Sequence, residues 1–472
     1  MKEKVIPDYF GEFIGGARRD DWGINGLDVC NLDEMNTAEI RKLVNRDAVW
    51  PLDDAVKEVE SGHDPFLLYW KRIIRRTAYR SPYINKGEDV KEKAGEYITQ
   101  LKKLRSLTEA VQKEENIHSF YYKASMTNLS VCISSAQLKL THTRISRYKT
   151  ACLESGFPYV TRKKRKTQKT TFVPPQLERI EREGKDYRKG ILVTPDIWQD
   201  TFHFKGVEFG NWTSQKDRQY SLDYAFDALK DLGIALDIED LDIAFDGKLS
   251  LAFGSRGRSA ASAHFEPMRQ VINLTKMHGA GSTAHEWFHS LDYFLARFYG
   301  VTDTELASES RETDKLPESY TKLIYSMKKD ASGNNTDFYR GSTVWDKRFR
   351  KDGFGYWASN CEMAARAFAC YVKDVLGYKS DYLIAHADVY VFEFDDQCIC
   401  SIPQGEEREI LDEMFDLLFF NLRKDGFFRQ RTEASEKSLE DILTFSPVNE
   451  GKEDNGSVRY FLTGDGQVQF SL

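Results

Sequence analysis

The chain has 472 residues, 41% hydrophobic and 30% charged, with a net charge of −7. A sizeable core is affordable, overall charge gives no case for nucleic-acid binding, and no stretch nears the roughly 18 apolar residues of a membrane helix. The seven cysteines are odd in number and scattered without a CxxC pair, which argues against a disulfide framework or a thiolate zinc site and fits a reducing cytoplasm.

Residues 1–60 read as a mixed segment. "EFIGGARRDDW" sets two glycines before a charged run and reads as a loop; "NLDEMNTAEIRKLV" reads as a short helix that Asn36 or Thr37 can cap, and Pro51 breaks the pattern after it. "MKEKVIPDYFGEFIGG" lacks the apolar core of a secretory signal. Residues 61–160 read as helical, because "DPFLLYWKRIIRRTAY" and "EKAGEYITQLKKLRSLTEAVQKE" space apolar residues three and four apart. Their Lys and Arg read as solvated faces. Residues 161–189 read as a basic, proline-containing linker: six of the nine residues 161–169 are Lys or Arg.

Residues 190–425 are denser. "GILVTPDIWQDTFHFKGVEFGNW" reads as short strand-like runs with glycines. "QYSLDYAFDALKDLGIAL" predicts a helix with Leu222, Ala225, Phe226, Leu229, Leu232 and Ile234 on its apolar stripe. "KLSLAFGSRG" predicts a strand, and "ASAHFEP" with "QVINLTK" a hairpin turning at Pro267. "GAGSTAHEWFHSLDYF" opens a helix that Gly300 ends, with Phe288, Leu291, Leu295 and Phe298 as its buried stripe. The polar stretches after Gly300 read as a mobile excursion. "SNCEMAARAFACYVKDVLG" predicts a helix closed by Gly377, and "IPQGEEREILDEMFDLLFFNL" a turn and a final helix. Residues 426–472 read as a flexible tail.

His285 and His289 stand one helical turn apart and point the same way, as two imidazoles on one zinc ion require. Glu286 is rotated about 100° from His285. There it suits the general base that takes a proton from attacking water and returns it to a leaving nitrogen. Thr283-x-x-Glu286 also fits a capping box, so Glu286 reads equally as a helix-start signal. A zinc hydrolase needs a third protein ligand. No histidine follows His289 closely, whereas Glu362 opens a second helix whose Ala365, Ala369 and Val372 allow close packing. Ser359-x-x-Glu362 is again a capping-box pattern. Asp292 competes for the third position, but one turn beyond His289 it suits better an acceptor that orients an imidazole. Donors for the transition-state oxygen are sought among His264, Tyr356, Arg366, His386 and Arg408.

"FHFKGVEFGNW", "LSLAFGSRGRSAASAHFEP", "VINLTKMHGAGSTAHEWFHSLDYF", "YWASNCEMAARAFACYV", "SDYLIAHADVY" and "PQGEEREILDEMF" resemble, in order, the zincin-like domain of large polyvalent proteins from phages, plasmids and conjugative elements. "EFIGGARRDDW" with "LVNRDAVWP" is similar to a segment that accompanies it. The resemblance spans about 190–425 and implies a zinc metallopeptidase, with His285, His289 and Glu362 as ligands and Glu286 as the catalytic carboxylate. It also implies a mobile-element protein acting in the host cytoplasm on a protein or peptide substrate, such as a host protein. The expected fold is α+β: a zincin-like domain with the HExxH helix under a small sheet, one strand of which pairs with substrate backbone, preceded by a helical region. Two alternatives stay open. One is a non-catalytic accessory protein that binds nucleic acid or a host factor through its basic N-terminal half; the other is a zinc hydrolase that cuts a different amide.

Overall fold

A computed structural model describes residues 13–15, 27–155 and 172–439 and the strand pair 459–462 and 468–471, except for breaks at 53, 115–116, 128, 173, 211–212, 255–262, 277, 350–354 and 395–396. The basic run at 161–169 lies outside the described residues. The architecture is α+β, rich in helix with small sheets. No helix among the described residues is long and apolar enough to cross a membrane.

The first part is helical: α1 (Thr37–Leu43), α2 (Arg46–Val49), α3 (Ala55–Glu60), α4 (Pro65–Thr77), α5 (Val90–Glu114), α6 (Ile117–Met126) and α7 (Ser135–Ser155). Asn36 starts α1: its side chain accepts the Glu39 N–H at 2.9 Å, and Glu39 accepts the Asn36 N–H at 2.8 Å. Trp50, Trp70, Tyr97, Leu101, Phe120 and Ile145 build one core across these helices. α4 and α7 run antiparallel. Tyr79 N–H, past the end of α4, donates to Cys132 C=O, before α7, at 2.7 Å, while Tyr69 and Tyr148 stack at 3.6 Å toward the other end.

A second core takes in residues from Tyr187 to Leu439, with Ile14. Its sheet has the order β1-β2-β3-β5-β4. The segment read as an N-terminal loop supplies β1 (Phe13–Gly15), antiparallel to β2 (Gly206–Phe209); a partner so far along the chain leaves no local signal. β2, β3 (Ser250–Phe253) and β5 (Val271–Leu274) are parallel and buried throughout. β4 (Ala263–Glu266) closes the predicted hairpin antiparallel to β5 and forms the other edge.

Residues 195–202, read as strand-like, form α8 (Pro195–Phe202). Thr194 caps it, accepting the Ile197 N–H at 3.1 Å, and Pro195 fits the first turn because its missing N–H would have had no helical partner. α9 (Gln215–Leu236) and α10 (Thr283–Phe298) form as their apolar spacing predicts, but Ile234 and Phe298 are exposed. Ile234 lies about 120° around α9 from Leu222, and its neighbours Ala235 and Leu236 take the buried positions of that turn. α10 packs on β4, β5 and α13 (Asn360–Leu376).

The stretches read as a mobile excursion are packed instead. α11 (Glu318–Ser326) buries Tyr320 and Leu323, and α12 (Asp337–Phe349) buries Phe338 and Trp345. The short α14 (Asp381–Ile384), a hairpin of β6 (Val391–Phe394) and β7 (Gln397–Cys400), and α15 (Gly405–Lys424) follow. The start of the expected tail is also tied down: Leu439 is buried and its N–H donates to Tyr187 C=O at 2.8 Å. β8 (Arg459–Leu462) pairs with β9 (Val468–Ser471).

The helical part meets the α10 helix through polar contacts. Asn36 Nδ2 donates to Thr304 C=O at 2.9 Å, and Glu39, almost fully buried, pairs with Arg297 near the end of α10. Burial raises the Glu39 carboxyl above its ordinary value, and the Arg297 guanidinium opposes that shift. Arg297→Ala leaves a buried carboxylate without its cation, so chemical denaturation should show a loss of about 2–3 kcal/mol. Arg297→Lys should lose less.

Candidate metal centre

Two glycines bring the chain tightly into α10. A Cβ on Gly279 would lie 2.5 Å from Thr275 backbone N and O, and Gly281, at φ 92°, would set one 3.1 Å from His386. The helix then starts without the predicted cap. Ser282 makes no side-chain capping bond, and Thr283 Oγ1 donates to Tyr382 C=O at 2.8 Å. Ser359 makes no capping bond for α13 either; its hydroxyl donates to Tyr356 C=O at 2.7 Å. Neither Glu286 nor Glu362 is therefore spent on a helix start.

α10 and α13 bring His285, His289 and Glu362 together. The two Nε2 atoms are 3.1 Å apart; His285 Nε2 is 3.5 Å from Glu362 Oε2, and His289 Nε2 is 3.6 Å from Glu362 Oε1. Zinc at 2.0–2.1 Å from tetrahedral ligands sets them about 3.3–3.4 Å apart. Each imidazole nitrogen thus faces one Glu362 oxygen, and the other imidazole, at close to that spacing. Each side chain is 12% exposed, so one side of the triad opens to solvent. Glu362 Oε2 is buried without a hydrogen-bond partner, as is His285 Nδ1. An orphaned carboxylate oxygen beside His285, with His289 beside the other oxygen, fits a cation between the three side chains. The bare His285 Nδ1 departs from the usual arrangement, in which a protein acceptor fixes the ligand's tautomer.

The electrostatics suit the same donor set. Burial lowers the His289 imidazole to about 4, so it is neutral at pH 7. Burial alone would raise Glu362, but His285, His289 and Arg366 bring it down to about 2. Two imidazoles and one carboxylate are a zinc donor set. Glu286, 6% exposed, is pushed up to about 7, chiefly by burial, while His285 and the Phe265 N–H of β4 oppose the shift.

The other predicted residues separate. The Tyr356 hydroxyl hydrogen-bonds Glu362, and one side of Tyr356 is exposed. Arg366 lies one turn beneath Glu362, fully buried. Its Nε donates to Ser401 C=O at 2.7 Å, Nη2 donates to Trp357 C=O, and Nη1 sits 3.8 Å from Glu362 Oε2. It backs the carboxylate and does not face the cleft. His264, on the edge strand, is close enough to affect Glu286 and lies 3.3 Å from Glu266. His386 has both nitrogens engaged, Nδ1 with Ser282 Oγ and Nε2 with Pro175 C=O, each at 3.0 Å. It braces the turn into α10 and is not free to donate to a substrate. Arg408 binds Asp374 and Asp388, three turns of α13 away from Glu362.

Asp292 orients no imidazole. It is fully buried and accepts Ser308 N–H at 2.7 Å, Ser308 Oγ–H at 2.5 Å and Tyr320 O–H at 2.6 Å. Three residues beyond His289, it is turned about 60° off that face. The loop it holds in turn sets α13: Asn360 Nδ2 donates to Ser308 C=O at 2.7 Å, and Cys361 N–H donates to Glu309 at 3.0 Å. Asp292 therefore ties the histidine helix to the start of the Glu362 helix. Ser308, Glu309, Tyr320 and Asn360 were not foreseen, because they fall in the polar stretch read as an excursion or look like ordinary helix-start residues.

Burial raises Asp292 to about 6, against its hydrogen bonds from Ser308 and Tyr320. A folded value above the unfolded one of about 3.9 means that stability is fullest below pH 4 and is lost as pH rises through 6. Two units correspond to about 3 kcal/mol at most. Asp292→Asn should flatten that slope in pH-dependent denaturation and keep the fold, since an amide can accept on one side and donate to Ser308 Oγ on the other. Asp292→Ala should cost about 2–4 kcal/mol by orphaning buried donors.

Residues 348–426 match the family model of large polyvalent protein-associated domain 1 (LPD1), roughly one sixth of the chain. Comparison with curated proteins and with solved structures found no match. The matched segment contains Tyr356, Glu362 and Arg366 but not the α10 histidines, and it supports the resemblance to polyvalent proteins on that segment.

Proposed function

We propose that the chain is a zinc-dependent hydrolase of the zincin type that cuts a peptide bond in a protein substrate, encoded by a mobile element and acting in the host cytoplasm. The observation that carries this reading is the clustering of His285, His289 and Glu362, whose donor atoms lie within 4.8 Å of one another, with Glu286 beside them and free of any capping role. Zinc held by these three residues supplies Lewis acidity and lowers the pKa of water. Glu286, with a proton affinity near neutrality, takes the proton of the attacking water and delivers it to the leaving nitrogen. Tyr356 keeps its proton, because burial and the nearby Glu362 raise it well above the ordinary tyrosine value, and its single O–H is proposed to turn from Glu362 to the oxygen that gains charge when substrate binds. β4 is the sheet edge beside Glu286, and extended substrate backbone is proposed to lie along it.

The test is to incubate a host-cell lysate with the parent protein or the Glu286→Gln variant and map new peptide termini. Termini that appear only with the parent are expected. Identical termini in both samples would end the reading. New products from amide substrates without new peptide termini would move the activity to another amide bond.

A further inference from the structure

Charge is unevenly distributed along the chain. Residues 65–155 hold 17 Lys and Arg against 8 Asp and Glu, a net of +9 in a chain of net −7, so the remainder carries −16. The imbalance is sharpest on the antiparallel pair α4 and α7. Residues 65–80 and 135–153 together contain nine Lys and Arg and no Asp or Glu. One of the nine, Arg75, is buried and spent on Asp47 and the Trp50 carbonyl. Arg76, Arg80, Lys139, Arg144 and Arg147 are exposed and have no carboxylate partner among the described residues. Like charges on adjacent helices repel.

We infer that the α4/α7 pair is a nucleic-acid-binding face that engages the phosphate backbone without reading sequence. Lys139, Arg144 and Arg147 span about 12 Å along α7 and about 140° around it, with Arg147 between the other two; over that length one DNA strand presents three to four phosphates. Four of the five free cations are arginines, whose fork matches phosphate oxygens. Tyr79 and Tyr83, exposed at 39% and 82%, follow α4 on either side of Arg80 and offer rings for unpaired bases. A membrane fits less well, because the apolar faces of α4 and α7 are used in the core through Leu68, Trp70, Ile74, Leu138 and Ile145. The inference is independent of the hydrolase reading, since neither helix contributes to the metal site.

The test uses the full-length protein and fluorescein-labelled, mixed-sequence DNA, as a duplex of about two helical turns and as a single strand, titrated by polarisation at several salt concentrations. Binding that weakens about 100-fold over a fourfold rise in salt is expected, as four phosphate contacts imply. Replacing Arg76, Lys139, Arg144 and Arg147 by glutamine should weaken binding at least about tenfold at low salt and flatten the salt slope by about 3 to 4. Circular dichroism and melting should match the parent, because all four side chains are exposed. Undiminished binding by the variant would place the site elsewhere, the basic run at 162–169 included, and overturn the inference. So would the absence of binding at low salt, or equally tight binding of polyglutamate or phosphatidylserine vesicles.

Discussion

Replacing Glu286 by glutamine is expected to lower peptide hydrolysis by about 10²–10⁴-fold, the range for loss of a general base. Zinc content should be unchanged, because Glu286 is not one of the three clustered donors. The fold should also hold. Glutamine has the same shape, its carbonyl can still accept the Phe265 N–H, and no helix cap is lost. The pattern that supports the base is therefore a steep fall in kcat with metal and melting temperature retained. Loss of metal together with activity would make Glu286 a structural residue of the triad. A variant with full activity would remove it from the chemistry.

Glu362→Gln should weaken zinc binding by about 10²-fold or more, since an amide oxygen lacks the charge of the third donor and loss even of an outer partner costs about 10–100-fold. Glutamine is chosen over alanine because Arg366 Nη1, buried 3.8 Å from the carboxylate, is left in a filled site. Asp292→Asn is the matched comparison. Asp292 is bonded to Ser308 and Tyr320 and not to the triad, so that variant should keep parental zinc affinity. The reverse pattern, zinc lost with Asp292→Asn and kept with Glu362→Gln, would hand the third position to Asp292. Competition with a chelating dye reads both affinities directly.

Helical spacing made much of this legible. The interval between His285 and His289 settles that two imidazoles share a face, and small or apolar residues at Ala365, Ala369 and Val372 announce a helix that packs closely, bringing Glu362 into reach. Strands β3, β4 and β5 are equally plain, because "LSLAF" and the Pro267 hairpin carry local strand and turn signals. What failed depended on distant partners. β1 pairs with a strand nearly two hundred residues on, and nothing within "EFIGG" reveals that. Asp292 faces one way by helical period, but its partners come from a loop whose polarity looked like solvent exposure. Polarity there reflects a buried hydrogen-bond network, which local composition does not distinguish from a surface loop. α8 is different: Thr194 and Pro195 are a readable helix start, outweighed by the aromatic and β-branched residues around them.

The measurement that bears most directly on the central claim is the zinc content of the purified protein, by elemental analysis after dialysis, beside a His285→Ala/His289→Ala/Glu362→Gln variant. About one zinc per chain is predicted for the parent, the stoichiometry of a single three-ligand site, and essentially none for the variant. No retained zinc in the parent, or equal zinc in both proteins, would contradict a metal site at the meeting of α10 and α13.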